Sequence, residues 1–580
     1  MLSRSLSLIA AISLLAACST PAPVKPQNLQ RSDYRYTEQY LSWLIDKEMN
    51  DNDVTGLSIA LVDDQQMVWS AGFGYSDAEN KIRATAATPY RMGSIAKLLT
   101  ATATMQLAER GQMDIDQPLS RYLPEFSIKS RFASTEPITP RNIMTHHSGL
   151  PSNYLSGMLA ENPRYFTTLV NDVRDEYVAY PPNYVFAYSN LAVTLLGAAI
   201  ERTTGQAYPQ YVAQNLFRPL GMDHSYYSSQ PGLKGYTKGK LSEYLPLRDL
   251  PSGGLVSNVE DLSRFMEMMF AGGRMNGQQV IRSETIAEML RPQNSNVPLD
   301  VGIHMGLGWM LDRSEIHGGG FVAGHGGALH NFHSELRIMP AHKLGVIVAA
   351  NSSSGHSVVA KVASEALRLM LEAKTGLSEP EKFEAAPASI ATEPIPRGFY
   401  DTFFGVIKVD GKENADLMGY SFSLTPGEHG WYGAKYNLLG FIPVSFSPLD
   451  TVHLAMTRIA DHDVLVANMG DETKLVGEKL SPPAMRDALL PYVGKYEIIN
   501  NGMGVTPTSL ALQYEDGMFV GVCTFSQMPG IVMRVSIAPI SEHEAIVSGL
   551  GPSRGETMRM FEAGSEKHIV FSGMELRKTN

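Results

Sequence analysis

Cysteine is scarce in this chain. Its 580 residues hold two, Cys18 and Cys523, too few for a disulfide framework. Clustered positive charge is also missing. Lys and Arg total 48 against 59 Asp and Glu, a formal net charge of -11. Nucleic-acid binding rests on clustered cations, so no nucleic-acid partner is expected. Past the N-terminal leader no apolar run is long enough to span a bilayer. Metal motifs are lacking too. There is no His-Glu-x-x-His and no cysteine pair. In His330-Asn331-Phe332-His333, positions i and i+3 of a strand would face opposite sides. Neither a metal nor a cofactor is expected. The residues around Ser94 do not give Gly-x-Ser-x-Gly, so a nucleophile elbow is not supported.

What is present is an ordinary globular composition, 44% hydrophobic and 18% charged, on a chain too long for one core. Arg4 precedes an apolar run from Leu6 to Ala17, too short for an ordinary membrane helix and read as an export signal. It ends Leu15-Ala16-Ala17-Cys18, which resembles the bacterial lipoprotein signal. The resemblance implies removal of residues 1–17, lipidation of Cys18 and, with Ser19 next, an outer-membrane anchor facing the periplasm. Cys523 would then be unpaired.

Residues 18–30 read as a Pro-rich tether. A first folded unit spans 31–375. It opens with a hairpin, Gly56 to Val62 and Met67 to Phe73, and closes with strands Phe321 to Gly326, Ser334 to Met339 and Leu344 to Ala350, then a helix from Val358 to Leu371. Between them lie helices. One runs from Ser94 to near Gly111, one begins at Thr139-Pro140, and Leu191 to Thr204 is closed by Gly205. Ser257-Asn258-Val259-Glu260 reads as a capping box. The pattern predicts an α+β (broadly α/β) unit: an antiparallel sheet flanked by helices, with a helical subdomain beside it. Residues 376–396 are rich in Pro, Ala and Glu and read as a linker. Short alternating strands follow in two barrel-like all-β units, 397–480 and 485–580, which begin alike at Gly398-Phe399-Tyr400 and Gly494-Lys495-Tyr496.

Chemistry is concentrated at Arg91-Met92-Gly93-Ser94-Ile95-Ala96-Lys97. Helical positions i and i+3 share a face, so Ser94 and Lys97 can touch. A serine hydroxyl needs a base, and a lysine in a partly dry pocket can be one.

Two further motifs follow in order: Tyr188-Ser189-Asn190, the only Tyr-x-Asn in the chain, and His325-Gly326-Gly327. With Thr145-His146-His147-Ser148-Gly149-Leu150-Pro151, Gly253-Gly254-Leu255-Val256-Ser257 and Gly306-Leu307-Gly308-Trp309, residues 35 to 372 resemble the serine β-lactamase and penicillin-binding protein superfamily. The similarity is strongest to its class C β-lactamase, DD-peptidase, D-aminopeptidase and esterase branch. The resemblance implies that Ser94 is the nucleophile and that Lys97 and Tyr188 share acid–base work. Which of the two is the base stays open; a Lys97 ammonium would favour the Tyr188 phenolate. Asn190 would hold Lys97 and a substrate amide. The backbone N–H groups of Ser94 and of Ala328, the residue after Gly327, would form the oxyanion hole. His147 and His317 also begin His-x-Gly patterns, but His325 has flanking strands and the right place in the order.

Many relatives carry Lys-Thr-Gly where this chain has His325-Gly326-Gly327. That exchange removes the side chains that bind a carboxylate and speaks against strong β-lactamase or strict carboxypeptidase activity. The implied activity is a serine hydrolase acting on a small D-amino-acid-containing peptide or amide, or on an ester, in the cell envelope. The alternatives are a β-lactamase or penicillin-binding sensor, and a non-catalytic envelope binding protein. D-Aminopeptidases of this superfamily share the layout of a hydrolase domain followed by two lipocalin-like barrels, the last of which can reach the active-site cleft.

Overall fold

A computed structural model describes residues 21–579 except 28–29, 135, 230–231, 381–393, 403–404, 412–413, 418–419, 428–429, 439–441, 445–451, 470–471, 501–506 and 526–531. The leader and Cys18 lie outside the described residues, as does most of the expected linker.

The first unit is built on a seven-stranded sheet in which all neighbours are antiparallel. Its order is Met310–Arg313, Phe321–Leu329, Phe332–Met339, Leu344–Ala350, Gly56–Asp63, Gln66–Asp77 and Ile82–Arg83. The first hairpin of the unit is thus seated beside its last strands, with Leu57 opposite Ala350 and Asp63 opposite Leu344. Side chains of a strand alternate between faces, and both faces here are covered. Leu57, Ile59, Leu61, Val346 and Val348 pack against Leu41, Ile45, Val358 and Val362 of the helices Arg35–Asp51 and Gly355–Thr375. Ala60, Val62, Ile347 and Ala349 face the other way, toward Leu262, Phe265 and Met266 of the helix Val259–Phe270. This two-sided burial is why the central strands read as continuous apolar runs.

The helical subdomain surrounds Ala96–Glu109, which is buried on nearly every side. A helix enclosed in this way needs its polar side chains satisfied locally. Thr102 and Thr104 donate to the carbonyls of Leu98 and Thr100, at 2.7 and 2.9 Å. Thr139 caps Pro140–Met144 in a capping box with Asn142. The helix before the sheet's final strands begins differently from expectation. Its N-cap is Asn258, accepting from Asp261 N, while the Ser257 hydroxyl bonds elsewhere.

Two closed eight-stranded barrels follow. The first runs from Gly398–Thr402 to Glu472–Leu480 and closes where Tyr420–Pro426 pairs with Tyr432–Leu438. The second runs from Gly494–Ile498 to Met574–Thr579, which pair with each other. Its interior is filled by Tyr496, Leu512, Phe519, Ile537, Met560, Ile569 and Leu576. The matching starts of the two units acquire a physical reason. Tyr400 and Tyr496 each turn a phenol back to the carbonyl four residues earlier, Pro396 O at 2.6 Å and Tyr492 O at 2.5 Å, and so fix each barrel's first strand.

Both barrels dock on the first unit. Tyr184 of the latter meets His462 of the first barrel at 2.5 Å. Tyr180 donates to Gly549 O of the second at 2.9 Å. Arg554 of the second barrel is paired with buried Asp401 of the first and donates to Thr402 O at 2.9 Å.

Candidate active site

The strand Tyr90–Gly93 pairs with Leu255–Ser257 and ends at Gly93, whose φ of +52° favours glycine. The chain then turns through Ser94 and Ile95 into the helix Ala96–Glu109. Ser94 therefore sits in the turn before the helix, not within it. Lys97 lies in the first turn, its backbone N–H bonded to Ser94 O at 3.0 Å. The side chains still meet: Lys97 Nζ is 3.0 Å from Ser94 Oγ.

Lys97 is 2% exposed. Its Nζ donates to Asn190 Oδ1 and to Ser252 O, each at 2.7 Å. A neutral amine has two N–H bonds and one lone pair. Two obligate acceptors take the N–H bonds, which leaves the lone pair for the Ser94 hydroxyl. Burial holds the Lys97 ammonium down to about 7, and buried Asp249 pulls it back only in part. Asp249 is tied to Arg248 Nε at 2.6 Å.

Asn190 is positioned by its helix. Ser189 caps Asn190–Thr204 by accepting from Ala192 N, and Gly205 ends that helix at φ +68°. The Asn190 Nδ2 donates to Asn153 Oδ1 at 2.9 Å, which turns Oδ1 toward Lys97.

The Tyr188 ring lies 4.8 Å from Lys97 Nζ, and its phenol stands beside Ser94. Burial pushes the phenol well above its ordinary range, and nearby Ser94 opposes this only in part. Burial thus disfavours the Tyr188 phenolate, one of the two states the sequence left open. His146 packs on the Tyr188 ring at 4.1 Å and accepts from Ser189 N through Nδ1.

His325 is 3% exposed, with its ring 6.0 Å from that of Tyr188. A carbonyl only accepts, so the 2.6 Å contact with Gly326 O places the proton on Nδ1. Nε2 carries the lone pair and is buried without a hydrogen-bond partner among the described residues. Burial, then the nearby Lys97, holds the imidazole down to about 4. It is a neutral acceptor at neutral pH.

Close backbone approach explains the glycines. A Cβ on Gly327 would stand 2.1 Å from Met92 O and 2.3 Å from Ser334 Oγ. One on Gly93 would stand 2.8 Å from Ala328 N. The strand Phe321–Leu329 is thus pressed onto the turn that carries Ser94, with Ala328 N–H against Gly93. The other histidines lie elsewhere. His147 is buried and bonded to Asp300 at 2.5 Å, and His317 is exposed, its backbone N–H on Glu379 O at 3.0 Å.

Ser94, Lys97, Tyr188, Asn190 and His325 are therefore brought together. Sequence reading missed Asn153, His146, Asp249 and Ser252. Only His146, inside the Thr145–Pro151 motif, stood in a stretch already singled out; Ser252 directly precedes Gly253-Gly254, and Asp249 stands just before Leu250-Pro251-Ser252.

The beta-lactamase family model matches residues 41–369, more than half of the chain. This chain belongs to the beta-lactamase family. It is 25% identical over 331 residues to Protein flp of Staphylococcus aureus (strain NCTC 8325 / PS 47), covering 55% of this chain and 64% of that protein. The chain thus spans just under two thirds of the length of that curated relative. It is 26% identical over 312 residues to the D-alanyl-D-alanine-carboxypeptidase/endopeptidase AmpH of Escherichia coli (strain K12), covering 52% of this chain and 80% of that one. Among solved structures, the octameric penicillin-binding protein homologue from Pyrococcus abyssi aligns over 93% of this chain and 99% of its own, with a TM-score of 0.50 and 20% identity. That likeness is one of fold.

Proposed function

We propose that this beta-lactamase family member is a serine hydrolase working through an acyl-enzyme. The observation that carries this reading is the dry Lys97 amine, 3.0 Å from Ser94 Oγ with its N–H bonds already engaged. Lys97 takes the proton as Ser94 Oγ attacks the substrate carbonyl. The resulting oxyanion is held by the N–H groups of Ser94 and Ala328. Tyr188, kept as a phenol, gives its proton to the leaving group and regains one from Lys97. Water then attacks the ester in the reverse sequence and frees Ser94.

The substrate in this reading is a small peptide or amide containing a D-amino acid, or a small ester. The name of AmpH supports peptide chemistry. Neutral His325 supports a substrate that places no carboxylate at that position, because an uncharged acceptor gives an anion no counter-charge. The leader supports an outer-membrane lipoprotein anchored at Cys18 and facing the periplasm.

Turnover of four probes tests the substrate reading: a D-alanine anilide, p-nitrophenyl acetate, nitrocefin and a peptide ending in D-Ala-D-Ala. Hydrolysis of the anilide or the ester is expected to exceed that of the two carboxylate-bearing compounds. Nitrocefin as the best substrate would overturn it in favour of a β-lactamase.

A further inference from the structure

The second barrel is bonded to the segment that orients Asn190. Ser152 N donates to Glu556 Oε1 at 2.8 Å, and Ser553 N donates to Ser152 Oγ at 2.7 Å. The Ser572 hydroxyl accepts from Leu155 N at 2.9 Å and donates to Asn153 O at 3.0 Å, while Ser572 O accepts from Ser156 N at 3.1 Å. The hairpin tip presses so close that a Cβ on Gly573 would stand 2.2 Å from the Tyr154 ring. On its far side the same segment holds the site. Ser152 O accepts from Asn190 N at 2.8 Å, and Asn153 Oδ1 accepts from Asn190 Nδ2 at 2.9 Å. Ser152, Glu556 and Ser572 are each 6% exposed. A buried carboxylate is costly unless bonded, and its acceptor is spent here on a backbone N–H one residue from Asn153.

We propose that Glu556 and Ser572 are positioning residues of the hydrolase site. They fix residues 152–156, these fix the Asn190 carboxamide, and the carboxamide fixes the Lys97 amine. The inference rests on the reading of Lys97 as the base. It makes the second barrel part of the catalytic apparatus.

The test uses the full chain and acylation by a fluorophosphonate probe. Glu556→Ala and Ser572→Ala are each expected to slow acylation at saturating probe by about tenfold or more, since small misplacements are costly in rate, with probe affinity little changed. The acid limb of the rate profile moves to lower pH, because the Lys97 ammonium loses a well-placed acceptor. Glu556→Gln restores most of the rate, its amide oxygen still accepting from Ser152 N. Tyr180→Phe removes a barrel contact off this route, and is expected to lower Tm without slowing acylation. Wild-type rate and an unmoved acid limb in Ser572→Ala, which deletes one oxygen, would overturn the proposal even where Glu556→Ala fails to fold. Labelling that survives Ser94→Ala would instead sink the reading beneath it.

Discussion

The amide oxygen of Asn190 lies 2.7 Å from the Lys97 amine, and Asn153 fixes which end of that amide faces it. The geometry makes the charge of position 190 a control on the base. Asn190→Asp places an anion beside Lys97, favours the ammonium and raises its pKa. The acid limb of kcat/KM, expected near 7 in the parent, moves to higher pH and activity at neutral pH falls. A pH-rate profile of the variant with any turned-over ester reads this directly; an unmoved limb would exclude Lys97 as the titrating group.

Lys97 itself is expected to be required in its neutral form. In the parent, kcat/KM rises with pH through about 7, following the value at which burial holds the amine. Lys97→Gln loses the base and is expected to reduce kcat by about a hundredfold to ten-thousandfold. The residual rate should show no limb near 7.

Gly327→Ala tests the close approach of the strand Phe321–Leu329 to the Ser94 turn. A methyl there cannot coexist with Met92 O at 2.1 Å, so the strand moves away and Ala328 N–H moves with it. Loss of one oxyanion donor typically costs about a hundredfold to a thousandfold in kcat. Steady-state kinetics with folding checked by circular dichroism gives the answer; a folded variant of full activity would remove Ala328 from the site.

His325→Lys restores a cation where many relatives carry one. Acylation by a penicillin-type probe is expected to accelerate relative to a neutral ester. The added charge also lowers the Lys97 pKa, so the acid limb moves down. No gain toward the carboxylate probe would mean that position 325 does not face the substrate.

Glu556 gives the docking of the second barrel a pH dependence. Its carboxyl is pushed up to about 7, first by burial; Glu176 opposite adds to this, while the bond with Ser152 and the charge of Arg554 counter it. Arg559 stands by Glu176 and Asp401 by Arg554. A carboxyl raised on folding binds its proton more tightly in the native state, so its contribution weakens as pH climbs from the ordinary value through 7. Thermal unfolding should show Tm falling over that window in the parent and falling less in Glu556→Gln.

Much of the fold was legible because it is written in local patterns. The apolar runs Gly56 to Val62 and Leu344 to Ala350 marked two strands of the sheet, and Gly398 and Gly494 marked two barrel starts. The helix that follows Ser94 was legible only in outline. It is buried on nearly all sides, so no periodicity marked its first residue, and Ser94 proved to lie in the preceding turn. The burial of His325 left no mark in the sequence, because burial is a property of the whole fold and not of the residue. The Asn153 contact with Asn190 left no signal, and neither did that of Glu556 with Ser152, 404 residues away. Such pairs are made by domain docking, for which a sequence has no period.

The central claim is that Ser94 forms the acyl bond. Fluorophosphonate labelling of the full chain, followed by peptide mass mapping, tests it most directly. A single adduct on Ser94 is expected, absent in Ser94→Ala and formed faster above pH 7 than below. Undiminished labelling of Ser94→Ala, or an adduct on another serine, would contradict it.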